Sequence, residues 1–301
     1  MAAKGEESSR MLLNLREYHR PASDGRAGGL DRALALLARP GIRTALLAGG
    51  SALLASADQG VEAVVDLQGL GLDRISPEPV ADGLSIGAMV TRAALGASAG
   101  VQAACNGIVV QAAMYGGGSV QRNRATVGGA LAKAAWDDSL VVALLASDAT
   151  VILYSVTGWQ ELALHEFLPQ RAACLALPAL ITEIRLPHAR DQWAAALANV
   201  ARTPSDAPIV CAAVALGVQE GRCTMARIAL SGVSAQPERR TAAEGLLVGC
   251  ALDDTILAAA AEQAAAGLLP PDDPRGSAAY RSAMASTVSY RALSQAAGRL
   301  R

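Results

Sequence analysis

Apolar and polar positions fall into two regimes along the chain. Up to about residue 190, short apolar runs of strand length alternate with stretches of helical period, and glycine or proline separates them. Leu30 to Leu37 (LDRALALL) has helical spacing with Asp31 in its first turn, and Pro40–Gly41 ends it. Thr44 to Ala48 (TALLA) then reads as a short buried strand that runs directly into Gly49, Gly50 and Ser51. Residues 11–60 are thus expected to form strand, helix, strand. Val61 to Leu67 is a strand with Asp66 near its end, and Leu84 to Ala88 is another. Thr91 can cap a helix starting at Arg92. A helix is expected around Leu140 to Leu145, and strands at Thr150 to Tyr154 and Leu180 to Leu186, with Pro187 closing the last.

Beyond residue 190 the pattern changes. Ile209 to Val218 and Cys223 to Val233 are β-rich runs joined at Glu220–Gly221, a hairpin signal. A helix follows from Asp253 or Asp254, running as far as Pro270–Pro271, and a last one from about Ser277 to the end. The expected organisation is a disordered lead over 1–10 and a region over 11–187 in two subdomains, about 11–60 and 61–187. A smaller α+β domain over 190–301 completes it, with the boundary near 187–193.

Two glycine pairs carry the candidate chemistry. Ala48-Gly49-Gly50-Ser51 follows a strand, and Thr126-Val127-Gly128-Gly129-Ala130 precedes a helix. Glycine lets backbone approach a ligand closely, and successive amides or a helix N-terminus attract anions. Two such turns from different elements can grip a pyrophosphate from both sides. Each alone equally fits an ordinary turn, as does Gly116 to Ser119. Neither a P-loop nor a G-x-G-x-x-G fingerprint is present.

The longer strings are more specific. Leu46 to Leu54 (LLAGGSALL) resembles the first flavin loop of the FAD-binding medium subunits in the xanthine dehydrogenase and carbon monoxide dehydrogenase family of molybdenum hydroxylases. Gln121 to Ala132 (QRNRATVGGALA) is similar to that family's second loop. Leu15 to Pro21, Leu84 to Thr91, Leu180 to Pro187 and Asp272 to Arg281 are similar to its other landmarks, in the same order and spacing. The resemblance covers about residues 11–295. It implies an α+β protein whose FAD-binding region has two α/β subdomains of the vanillyl-alcohol-oxidase (PCMH-like) kind, followed by the smaller C-terminal α+β domain.

The resemblance also implies roles. Ala48, Gly49, Gly50, Ser51, Ala52 and Leu53 would hold FAD on one side, with backbone amides at its pyrophosphate. Gly117, Asn123, Thr126, Val127, Gly128, Gly129 and Ala130 would hold it on the other. Asp138 matches an acidic cofactor contact if one gap is allowed; without the gap Ser139 stands there. Ile181 matches an apolar position near the flavin ring. No side chain is expected to act as acid, base or nucleophile. The chain would be the electron-transfer subunit of an oxidoreductase heterotrimer, assembled as a dimer of heterotrimers. A large subunit would carry a molybdopterin cofactor and a small one [2Fe–2S] clusters. Three departures stand out: Ala52 replaces a usual serine, Ala134 to Ser139 lacks the usual prolines, and Leu197 to Val200 lacks a basic or aromatic residue. They motivate a second reading, a flavin-free structural subunit that keeps the fold.

Composition narrows the field. Apolar residues make up 52% and charged residues 18%, against about a quarter charged in ordinary domains. Either an alanine-rich proteome or surface buried against partner subunits accounts for this. Net charge is −1 with no basic tract, so nucleic-acid binding is not expected. The polar start and the absence of an apolar stretch of about 20 residues point to a cytoplasmic chain, with peripheral attachment at the inner membrane face as the alternative. None of the five cysteines forms C-x-x-C, so the chain is not expected to hold an iron–sulfur cluster itself. The three histidines are scattered, which disfavours zinc. Gly96-Ala97-Ser98-Ala99-Gly100 matches the nucleophile-elbow pattern. An elbow needs a strand before the serine, whereas Arg92 to Leu95 reads as helix. A serine hydrolase using Ser98, with His165 or His188 and an acid such as Asp148, is therefore a remote alternative.

Overall fold

Three sheets follow one another along the chain. The computed structural model describes residues 14–23, 28–56, 58–78, 83–176, 178–187, 192–203 and 206–300. The lead expected over 1–10, and His188, lie outside the described residues.

The first sheet is small and wholly parallel. It contains β1 (Glu17–His19), α1 (Gly28–Leu37), β2 (Thr44–Leu47), α2 (Ser51–Ser56) and β3 (Ala63–Asp66). β3 lies between β1 and β2, parallel to both. All four of its residues are buried, as a central parallel strand requires. Because β3 completes this sheet, the sheet reaches beyond the break expected near residue 60. Asp66 then caps a 3₁₀ turn, Leu67–Leu70, by accepting from the Gln68 amide.

The second sheet is antiparallel, in the order β4 (Ile75–Pro77), β5 (Gly83–Gly87), β8 (Ala179–Pro187), β6 (Thr150–Ser155), β7 (Gly158–Ala163). Between β5 and β6 run α3 (Arg92–Ala97), α4 (Ala99–Ala104), α5 (Ile108–Ala113), α6 (Ser119–Arg124), α7 (Val127–Lys133) and α8 (Ser139–Ala146). α9 (Leu164–Ala176) links β7 to β8. The third sheet comprises β9 (Trp193–Val200), β10 (Val210–Gln219), β11 (Arg222–Ser231) and β12 (Glu238–Arg239), with α10 (Thr241–Leu247), α11 (Asp254–Ala265) and α12 (Ala278–Gly298).

The third sheet is covered on both faces. Alternate strand residues point to opposite sides. Cys211, Ala213 and Ala215 of β10 face the core built on α8, while Val210, Ala212, Val214 and Leu216 face α11 and α12. That is why this segment reads as an unbroken apolar run. α8 is buried along its whole length and serves the cores of the second and third sheets alike.

Arg281 ties the C-terminal unit together. It is fully buried. Its guanidinium donates to the carbonyls of Ile209, Gly232 and Gly276 and to Asp273 Oδ1 at 2.6 Å. It also lies 4.6 Å above the Trp136 ring. Burial tends to raise the Asp273 carboxyl, but hydrogen bonds from Arg275 and Arg281 outweigh this and hold it well below the usual carboxylate range.

Several expectations are corrected. Gly128 and Gly129 do not sit in a turn before a helix; they form the first turn of α7 itself, capped by Thr126. α11 ends at Ala265, ahead of the prolines: Ala266 is extended (φ −70°, ψ 137°) and Gly267 then takes a left-handed conformation (φ +69°). α2, α10, β7, α9 and β9 were not expected. β9 is alanine-rich, a composition that favours helix, but small side chains suit its place between two packed layers. α9 carries Pro169 inside it.

Arg281→Met should cost about 3–5 kcal/mol, as removing one partner of a buried ion pair does. Urea unfolding of the full chain measures this, and a loss below about 1 kcal/mol would contradict the role given to Arg281.

Candidate cofactor-binding site

Ligands of parallel sheets bind where strands end at their carboxyl edge. All three strands of the first sheet deliver cleft residues there: Arg20 follows β1, Ala48 and Gly49 follow β2, and Gln68 follows β3. The opposite wall comes from Asn123, Arg124 and Thr126, with Met89 and Thr91 beside them. The cleft between them has a volume of about 490 Å³, in the range of cofactor pockets. The two glycine strings, about 75 residues apart, therefore meet across one cleft.

The meeting depends on Gly49. A Cβ there would lie 1.6 Å from the Arg124 carbonyl oxygen and 2.5 Å from its carbon. The Arg124 guanidinium in turn donates to the Gly49 carbonyl at 3.3 Å. α2 begins two residues later. The amides of Ser51, Ala52 and Leu53, its first three, have no acceptor among the described residues. α2 buries none of its side chains, and its positive end begins just past Gly49. A serine hydroxyl is missing at Ala52, but the amide remains.

The second loop is built differently. Val127 N–H donates to Val90 O (2.9 Å), Gly128 N–H to Ala88 O (2.8 Å), and Gly129 N–H to Thr126 Oγ1 (3.1 Å). A Cβ on Gly128 would lie 2.7 Å from Ala88 Cβ. Gly128 is thus a seat against Ala88, and its amide is not available to a ligand, contrary to the symmetric grip expected from sequence. At Gly129 a Cβ would meet only Thr126 Oγ1, at 3.0 Å, so its other side is open. Val127 and Ala130 are buried on the core side of α7.

The other expected residues are placed unevenly. Gly117 (φ +130°) lies in the turn before α6, its carbonyl held by Arg122. Ile181 is buried in β8, next to Thr182, whose carbonyl accepts from the Ala88 amide. Asp138 does not line the cleft. It caps α8 by accepting from Leu140 N–H at 2.9 Å and forms a close, mostly buried ion pair with Arg92, at 2.6 and 2.5 Å. Ser139, the ungapped match, donates its hydroxyl to Ala112 O. Lys133 is exposed at the C-terminal end of α7, opposite the glycines. Ser98 joins α3 to α4 and accepts from Val101 N–H, so no strand precedes it and no nucleophile elbow is built. Arg20, Gln68, Asp73 and Met89 were not expected to line the cleft. The ends of the predicted strands at Leu67 and Ala88 could have pointed to two of them.

Comparison with known proteins agrees with this architecture. Residues 17–189 match the FAD binding domain in molybdopterin dehydrogenase, and residues 195–296 match the CO dehydrogenase flavoprotein C-terminal domain. The chain is 33% identical to the 6-hydroxypseudooxynicotine dehydrogenase complex subunit alpha of Paenarthrobacter nicotinovorans, over 91% of this chain and 94% of that one. Among solved structures it is similar to carbon monoxide dehydrogenase from Hydrogenophaga pseudoflava, with a TM-score of 0.83 at 30% identity, covering 95% of this chain and 98% of that one. Quinoline 2-oxidoreductase from Pseudomonas putida 86 aligns with a TM-score of 0.80 at 28% identity, over 94% and 97% of the two chains. Fold and cleft thus define an FAD-binding flavoprotein of the oxidoreductases. Within that class, the chain belongs to the family of medium subunits of molybdenum hydroxylases. Among the described residues no helix is long and apolar enough to cross a membrane.

Gly49→Ala should force the two loops apart and cost about 1–3 kcal/mol, the usual range for overpacking. Its urea midpoint should fall, and an unchanged midpoint would show that the loops do not meet as described.

Proposed function

We propose that this chain is the flavin-binding electron-transfer subunit of a heteromeric molybdenum hydroxylase, standing between [2Fe–2S] clusters of a small subunit and an external acceptor. A large subunit would hold the molybdopterin cofactor, and the assembly would be a dimer of heterotrimers. The observation that supports this best is the cleft lined by Ala48 and Gly49 of the first glycine string and by Asn123, Arg124 and Thr126 of the second, with the unpartnered amides of α2 beginning two residues past Gly49. FAD fits it. The pyrophosphate would reach the free N–H groups at the start of α2 just past Gly49, Arg20 and Arg124 line the cleft and add positive charge, and a Cβ on Gly129 would meet nothing but Thr126 Oγ1, which leaves room for close approach there.

In this reading Gly49 to Leu53 bind the pyrophosphate through the backbone, while Asn123, Thr126 and Gly129 flank it from the second loop. Gly128 and Val127 hold that loop in place. Ile181 contributes apolar packing on the way to the flavin ring. Bound FAD supplies a carrier that can take electrons singly and deliver them onward. The protein's share is to bind, orient and shield it, so no proton-transferring side chain is assigned.

Gly129→Ala tests the reading, because a methyl there meets only the hydroxyl of Thr126, and Thr126 itself lines the cleft. The variant should fold as well as wild type yet bind FAD at least about tenfold more weakly, the loss of about 1.4 kcal/mol. FAD titration by fluorescence alongside thermal unfolding measures both, and unchanged FAD affinity would remove Gly129 from the site.

A further inference from the structure

We propose that Trp136 and Asp137, gripped by Arg275 and Arg281 of the C-terminal unit, position the second glycine loop, so that FAD affinity depends on how that unit is docked; this rests on the flavin reading above and deepens it. The two residues lie in the short link between α7, whose first turn holds Gly128 and Gly129, and α8. This is the segment where the sequence departs from the family's proline-containing pattern.

The grip comes from three directions. Arg275 Nη1 donates to Asp137 Oδ2 at 2.7 Å, while its Nε donates to Asp273 Oδ2 at 2.8 Å. The guanidinium groups of Arg275 and Arg281 lie 5.2 and 4.6 Å from the Trp136 ring centre. Gly232 N–H, just past β11, donates to the Trp136 carbonyl at 2.7 Å. None of these groups lines the cleft.

The link transmits this grip to the loop in two ways. On its far side Asp138 pairs with Arg92. The Arg92 amide donates to Ala125 O at 2.9 Å, and Thr91 bridges to Thr126, the cap of α7. On its near side Arg171 donates to the carbonyls of Ala132 and Lys133 and closes the C-terminal end of α7. α7 spans seven residues, so both of its ends are fixed by contacts outside it. Releasing the link at Asp137 frees one support of the helix that presents Gly129. Trp136, Asp137 and Arg275 are thus positioning residues.

A cluster that only joins domains would affect stability and leave the flavin untouched. The full chain should therefore be compared as wild type, Arg275→Met, Arg275→Lys, Asp137→Asn and the double variant Arg275→Met with Asp137→Asn. FAD dissociation constant, flavin midpoint potential and thermal unfolding would be measured on each. Wild type should bind FAD. Arg275→Met should weaken binding about tenfold, within the range by which residues along a contact network alter an affinity, and shift the potential. Arg275→Lys, which keeps the charge without the planar fork, should recover part of both. Asp137→Asn should match Arg275→Met, and the double variant should be no worse than either, as members of one link require. Wild-type affinity and potential in Arg275→Met and Asp137→Asn would overturn the positioning role while leaving FAD binding intact. Failure of wild type itself to bind FAD would overturn the flavin reading and this inference with it.

Discussion

The absence of a side chain at Gly49 lets a three-stranded parallel sheet and a helical segment some 75 residues away share one cleft. A single methyl would lie 1.6 Å from the Arg124 carbonyl oxygen. Everything else about the site follows from that approach. The carboxyl edge of the first sheet supplies Arg20, Ala48 and Gln68, and the second loop supplies Asn123, Arg124 and Thr126. Neither half is a pocket without the other.

The two walls work in different ways. The first leads from Ala48 and Gly49, which line the cleft, into the free amides at the start of α2. The second has its first-turn amides already bonded to Ala88, Val90 and Thr126, so it acts as a fixed surface. Its position is inherited from what lies behind it. β8 holds Ala88, Arg92 pairs with Asp138, and α8 is buried between the second and third sheets. The C-terminal unit is therefore part of the site's support, which gives a physical reason for a flavin domain and this second domain to occur in one chain.

Much of the fold was legible in the sequence. The strand at Thr44 to Ala48, the Thr91 cap, the Glu220–Gly221 hairpin and the last helix from Ser277 each rest on local chemistry, and local chemistry decides them. β9 was hidden because alanine carries no strand signal; its conformation is set by the layers on both sides. Of the site, the glycine strings were readable, but the inequality of the two loops was not. Which amides are free depends on Ala88 and Val90, about 40 residues from Gly128 in sequence. Asp138 shows the same limit. The family resemblance, with one gap, implied a cofactor contact for it, and in the structure its carboxylate is held by Arg92. The Trp136–Asp137 segment looked like a mere departure from a pattern until Arg275 and Arg281 were seen to grip it.

The most direct test of the central claim is the flavin content of the natively purified protein with whatever subunits accompany it, by absorbance and by chromatography of the released cofactor. Near-stoichiometric FAD, together with two unlike partner chains, is the expected result. Absence of FAD even after incubation with excess cofactor would contradict the account and favour a structural subunit that keeps the fold without the flavin.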